Sequence, residues 1–235
     1  MKKVYLKAFL LAALTGFACT ACSCSSNTSD NPALTEKVEN LPEVSTGLTV
    51  LTIGTADSGG TMYPVGNALA KVISEHDSNI KVNLSASNGS FTNVEWITGG
   101  QIDMGLVSGD VAWSAYYGTD DFADKPIKSL RAIGAIYTSV SNWMAPESAG
   151  LTYVHDLNGK SAAIGPQGST TDLSARIAID VVGLGSSTTL VNSGLGSGSV
   201  AVREGKLDAV HGFAGVPISG LTELAESVPC RLLKY

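Results

Sequence analysis

Short apolar runs and helical stripes alternate along most of this chain. Leu48-Thr49-Val50-Leu51-Thr52-Ile53 reads as a strand stopped by Gly54. Between Tyr63 and Ser74, Val65, Leu69, Val72 and Ile73 recur at helical spacing and give one apolar face. Ile80 to Leu84 alternates as a strand, and Ser90 caps a helix carrying Phe91, Val94 and Ile97 on one side. Asp103 to Val107 is a short strand. A second series follows. Ala162 to Gly165 is a strand. Ser169 is a helix cap, with Asp172 three residues on as a carboxylate variant of the capping box. Leu173, Ile177 and Val181 then stripe one helical face. Ser187 to Val191 is a strand, Val200 to Glu204 a short helix ended by Gly205, Asp208 to His211 a strand, and Cys230 to Tyr235 a strand-like run. Strands alternating with helices predict an α/β fold with largely parallel sheets covered on both faces.

The two series say nearly the same thing. Ile53-Gly54 leads into Ser58-Gly59-Gly60-Thr61, and Ile164-Gly165 leads into Gly168-Ser169-Thr170-Thr171. Each loop opens a helix, and each series later contains a Gly-x-x-Asp step, at Gly100 to Asp103 and at Gly205 to Asp208. Repetition at this scale predicts two α/β lobes facing one another. In open α/β sheets, ligands sit at the C-terminal ends of the strands, where both loops fall. Free N–H groups at a helix N-terminus favour an anion there. The expected ligand is therefore small and carries a carboxylate or similar group.

The start of the chain gives an address. Met1-Lys2-Lys3 is basic, and Ala8 to Ala18 is apolar but too short for a bilayer core of about 30 Å, as in a secretory signal. Cys19, Cys22 and Cys24 crowd its end and resemble the lipidation region of a bacterial lipoprotein. Thr20-Ala21-Cys22 fits best, with Cys19 the alternative and Cys24 a third choice. Residues 25–46 are polar and read as a flexible tether. Residues 47–235 are the globular body, in which Cys230 is the lone cysteine. Of the whole chain, 44% is apolar, 15% is charged and the net charge is −6. Without clustered Lys and Arg, nucleic acid is not an expected partner.

The block Ser58-Gly59-Gly60-Thr61-Met62-Tyr63-Pro64-Val65-Gly66 resembles the opening signature of TAXI-type solute receptors, which serve tripartite ATP-independent periplasmic (TRAP) transporters. Asn88-Gly89-Ser90, Val107-Ser108-Gly109-Asp110, Gly165-Pro166-Gln167-Gly168-Ser169 and Gly205-Lys206-Leu207-Asp208-Ala209 continue the likeness from Leu48 to Tyr235. The resemblance implies a type II periplasmic-binding-protein fold, a small carboxylate ligand such as glutamate, membrane transporter subunits as partners, and a lipid-anchored extracytoplasmic location. It also implies a chain that returns to the first lobe after the second. The lobes are therefore expected at residues 47–138, incomplete for want of that return, and 139–235.

Carried over position by position, the resemblance implies ligand contacts at Ser58, Gly60, Thr61, Tyr63, Ser87, Asn88, Ser108 and Asp110 in the first lobe. In the second it implies Gln167, Gly168, Ser169, Thr170 and Thr171, with Phe213 as an apolar wall. The backbone N–H groups of Gly60 and Gly168 are expected to hold the carboxylate. Tyr63 is equally well read as a half-buried helix residue, and Asp110 either receives a ligand ammonium group or caps a helix. Asp103 and Asp208 read as structural turn residues. No motif asks for a cofactor or metal. His76, His155 and His211 are scattered, without a nucleophile elbow or zinc-binding helix motif, so no enzyme is expected. A ligand sensor for a membrane signalling partner is the alternative within the binding class, and an extracytoplasmic hydrolase is the alternative outside it.

Overall fold

In the computed structural model, which describes residues 47–235, the first apolar run becomes strand β1 (Thr49–Gly54) at the centre of a three-stranded sheet. Its neighbours β2 (Ile80–Ser85) and β3 (Met104–Gly105) both run parallel to it. Helices α1 (Met62–His76), α2 (Ser90–Thr98) and α3 (Gly109–Tyr117) follow the three strands in turn. The expectations for residues 1–46, including lipidation at Cys22 or Cys19, lie outside the described residues.

The second half repeats this order with an addition. Strand β5 (Ser161–Ala163) lies between β6 (Thr189–Val191) and β7 (Ala209–Ala214), both parallel to it, with α4 (Thr170–Val181), α5 (Leu195–Arg203) and α6 (Ser219–Ser227) following. Strand β4 (Val140–Pro146) arrives from the first half and pairs antiparallel with β7, and β8 (Cys230–Leu232) pairs antiparallel with β4. The order is β6-β5-β7-β4-β8, so this sheet is mixed.

Period-two alternation splits the second sheet's side chains between two cores. Ala162, Ile164 and Ala209 join Trp143, Leu157 and Ile179 on the α4 side. Ala163 and Val210 join Leu195, Val202, Leu221 and Leu224 under α5 and α6. The first half has one smaller cluster, Val94, Val111 and Ala115, flanked by Phe91, Phe122 and Leu130.

Several elements differ from the sequence reading. Strand β4 and helices α3 and α6 appear where no element was expected. Helix α5 begins at Leu195 rather than Val200. Glycines at 196 and 198 argue against helix by propensity, yet close packing demands them: a Cβ at Gly198 would lie 2.6 Å from that of Ala163. In α4 the expected stripe faces solvent, with Ile177 55% and Val181 80% exposed, while Ala175 and Ile179 are buried. The helix is apolar on two sides, and the face with Ala175, Ala178, Ile179 and Val182 is the one that packs.

Asp103 and Asp208 have matching structural parts. Asp103 Oδ2 accepts from Thr52 N at 2.8 Å, and Asp208 Oδ2 accepts from Ser161 N at 2.8 Å, each fixing the start of a strand pairing.

Candidate functional site

The C-terminal ends of β1 and β5 face a common narrow cleft. From the first half, the loop after β1 supplies Ala56, Asp57, Gly60, Thr61 and Met62, and the loop after β2 supplies Asn88 and Gly89. Tyr137 and Ser139, just before β4, line it where the chain crosses between halves. From the second half come Pro166, Ser169, Thr170 and Thr171, then Leu195, Phe213 and Ala214.

Each loop is set by its surroundings. Buried Asn93 on α2 organises the end of β1: its Nδ2 donates to Thr55 O at 2.8 Å and Leu106 O at 2.7 Å, and its Oδ1 accepts from the Ser87 hydroxyl at 2.8 Å. In the second half Gly165, at φ 85°, turns the chain so tightly that a Cβ would lie 2.7 Å from Thr171 Cβ and 2.9 Å from Ser169 Oγ. Ser169 then caps α4, its hydroxyl accepting from Asp172 N at 3.1 Å. The Asp172 carboxylate accepts from Gly168 N at 3.0 Å and from Arg176 Nε at 2.8 Å.

That leaves the first turn of α4 open toward the cleft. Among the described residues, no acceptor takes the N–H groups of Thr170 and Thr171. These two donors and the helix dipole lie there beside the Thr170 hydroxyl, while the Thr171 hydroxyl donates to Phe213 O at 3.5 Å. Asp57 is the one charged residue of the lining, and it accepts from Gly196 N at 3.2 Å. Burial raises the Tyr137 phenol above its usual pKa, which keeps it a donor. The lining therefore offers neutral donors beside one carboxylate and no cationic side chain.

His211 lies on β7 two residues before Phe213, fully buried and 4.5 Å from the Trp143 ring centroid. Its Nε2 is 3.0 Å from Ser141 Oγ. Desolvation lowers its pKa to about 4, with the nearby Thr171 backbone offsetting part of the effect. It is therefore neutral at pH 7. His76 and His155 are exposed and remote from it: His76 Nδ1 meets Val72 O at 3.0 Å, and His155 stacks on Tyr153.

Of the residues expected from sequence, Gly60, Thr61, Asn88, Ser169, Thr170, Thr171 and Phe213 come together in the cleft lining. The others sit elsewhere. Ser58, Gln167 and Gly168 are exposed outside the lining, and Tyr63 is exposed on α1. Ser87 Oγ shares its one proton between Thr55 O and Asn93 Oδ1, both at 2.8 Å, and accepts from Gly89 N at 3.0 Å, as a loop brace. Ser108 is the residue before α3, its N–H donating to Ser90 Oγ at 3.0 Å, and Asp110 is exposed in the first turn of α3. The N–H groups expected to hold the ligand are both used internally, Gly60 N by Asp57 O at 3.0 Å and Gly168 N by Asp172. Sequence reasoning missed Asp57, Tyr137, Ser139 and Leu195. Asp57 alone carried a signal, as the one acidic residue next to the Gly-rich loop.

A model of the NMT1-like family matches residues 53–235. Among solved structures, the chain is similar to the alkanesulfonate-binding protein SsuA from Xanthomonas axonopodis pv. citri bound to MOPS, at 18% identity and TM-score 0.53. That match covers 80% of this chain and 61% of that one, so the chain spans less than two thirds of its length. It is also similar to lactococcal OpuAC in complex with glycine betaine, at 14% identity and TM-score 0.57, covering 80% and 71%. An ancestral arginine-binding protein bound to arginine matches at 13% identity and TM-score 0.55, covering 79% and 78%. The fold is that of the type II periplasmic binding proteins, two α/β lobes around a ligand cleft.

Proposed function

The chain belongs to the NMT1-like family, and from that premise we propose that it is an extracytoplasmic solute receptor that captures a small carboxylate and delivers it to a TRAP-type membrane transporter. One observation carries the proposal: the N–H groups of Thr170 and Thr171 at the head of α4, which no acceptor takes among the described residues, belong to two residues lining a cleft shared by both halves. Backbone donors of this kind bind carboxylates without a fixed cation. The solved relatives with sulfonate, betaine and amino-acid ligands support small charged solutes as the ligand class. The TAXI-type motif around Gly59-Gly60-Thr61 favours TRAP as the transporter class. Residues 47–138 and 139–235 act as the two closing lobes, and a lipid on Cys22 holds them at the membrane. Binding without turnover is the reading best supported by three histidines in three separate places.

Calorimetry of the full chain against glutamate, small dicarboxylates and alkanesulfonates tests this. A bound carboxylate at 100 times its Kd adds about 2.7 kcal/mol of stability. Thr170→Pro, which removes one of the two N–H groups at a first helical position that tolerates proline, weakens it at least tenfold, about 1.4 kcal/mol. Failure of every carboxylate to bind, or unchanged affinity in Thr170→Pro, refutes the assignment.

A further inference from the structure

Helix α5 begins at a residue with no side chain. Its N-cap is Gly194, which supplies no capping oxygen. N-cap side chains ordinarily accept from the N–H of the second or third helical residue. Here that acceptor comes from the other half of the molecule. Asp57 Oδ2 takes the N–H of Gly196, the second residue of α5, at 3.2 Å across 139 positions of sequence. A Cβ at Gly194 would lie 2.8 Å from Asp57 Oδ1 and 2.9 Å from its Cγ, so the glycine keeps room for the carboxylate. A negative charge at this position also complements the helix dipole.

Two more bonds tie the same loop across the cleft. Gly59 O accepts from Gly220 N in the first turn of α6 at 2.9 Å, and the Thr61 hydroxyl donates to Gly215 O after β7. A Cβ at Gly59 would collide with the backbone of Gly196, so the two segments meet backbone to backbone. One side of the loop thus docks on the second half, while Asp57, Gly60 and Thr61 line the solute cleft.

We infer that Asp57 caps α5 in trans and so latches the two halves together, setting how far the cleft stands open before any solute arrives. Releasing the carboxylate frees Gly196, lets the Gly59–Gly220 bond part, and opens the cleft. The inference rests on reading the cleft as a solute site, but its test needs no solute.

Amide hydrogen exchange and small-angle scattering of the ligand-free full chain supply that test. Asp57→Ala is expected to raise exchange at Gly196 and Gly220 at least tenfold and to increase the radius of gyration, with Val210 in β7 unchanged. Gly194→Asp leaves the first half untouched, gives α5 a cap of its own and expels Asp57. It is expected to keep Gly196 protected while Gly220 loses protection. Asp57→Asn retains an acceptor oxygen and falls between. Unchanged exchange at Gly220 in both variants overturns the latch, because Asp57 would then be only a local cap. Loss of protection at Val210 overturns it as well, since Asp57 would then support the fold itself.

Discussion

The loop after β1 and the loop after β5 begin alike and are used in different ways. Each leaves a strand through an Ile-Gly pair and enters a helix through glycine and hydroxyl residues. In the second loop Ser169 caps its own helix and the next two N–H groups stay open to the cleft. In the first, Thr61 has helical dihedrals and no capping role, and its hydroxyl reaches across to Gly215 instead. The first loop docks on the other half through an acceptor, Gly59 O, and the Thr61 hydroxyl, while the N–H groups of Met62 and Tyr63, like those of Thr170 and Thr171, meet no acceptor among the described residues. The two loops therefore differ in what docks them and in which residue caps the helix, not in whether backbone donors remain free at the helix start.

The supports behind the loops differ too, and this difference predicts the largest effect. Asn93 is fully buried and joins α2 to β1, β3 and the Ser87 loop through one amide. Its counterpart behind Gly165 is Asn192, exposed, with Nδ2 donating to Gly165 O at 3.1 Å. Asn93→Ala leaves buried partners unpaired at about 1–3 kcal/mol each and is expected to cost about 3 kcal/mol or more. Asn192→Ala, whose partners water can reach, should cost under about 1 kcal/mol. Urea denaturation of both variants measures the gap. Equal costs would mean that the two loops are held equally firmly.

The second loop is backed instead by an ionisable ring. His211 has a folded pKa of about 4, below its ordinary value of 6.5. The unfolded chain therefore binds a proton first as pH falls. Stability is fully present above about pH 6.5, is lost progressively down to about pH 4, and falls by about 3 kcal/mol in all. Comparing wild type with His211→Gln at pH 7, 6 and 5 isolates this part, because the carboxylates are common to both. A wild type whose acid sensitivity equals that of His211→Gln would show that His211 is not held neutral by the fold.

Legibility in the sequence follows the range of the forces involved. Strands β1, β2, β5 and β7 and helices α1 and α2 were readable because local periodicity places them. Helix α5 was half hidden, since Gly196 and Gly198 answer to neighbours distant in sequence rather than to helix propensity. The site divided in the same way. Thr61, Ser169, Thr170 and Thr171 were visible as loop chemistry, whereas Tyr137, Ser139 and Leu195 reach the cleft only through the crossing into β4 and the docking of α5. Ser87 and Ser108 carry the right chemistry, but the Ser87 hydroxyl donates to Thr55 O and the Ser108 hydroxyl accepts from Ser90 Oγ at the start of α2.

The smallest expected effect concerns the helix that presents the open N–H groups. Sequence periodicity favours Leu173, Ile177 and Val181 as the buried face of α4, while the fold buries Ala175 and Ile179. Surface substitutions away from special contacts usually change stability by no more than about 0.5 kcal/mol. Ile177→Ser is therefore expected to stay within about 0.5 kcal/mol of wild type, whereas Ile179→Ala should cost about 2–5 kcal/mol for the lost packing and the cavity. The exposed row lies on the side of α4 away from its sheet, so ligand affinity should be unchanged in Ile177→Ser. A loss of stability in Ile177→Ser comparable to that in Ile179→Ala would mean that α4 is rotated about its axis. The side chains of Thr170 and Thr171 would then turn away from the cleft that they line.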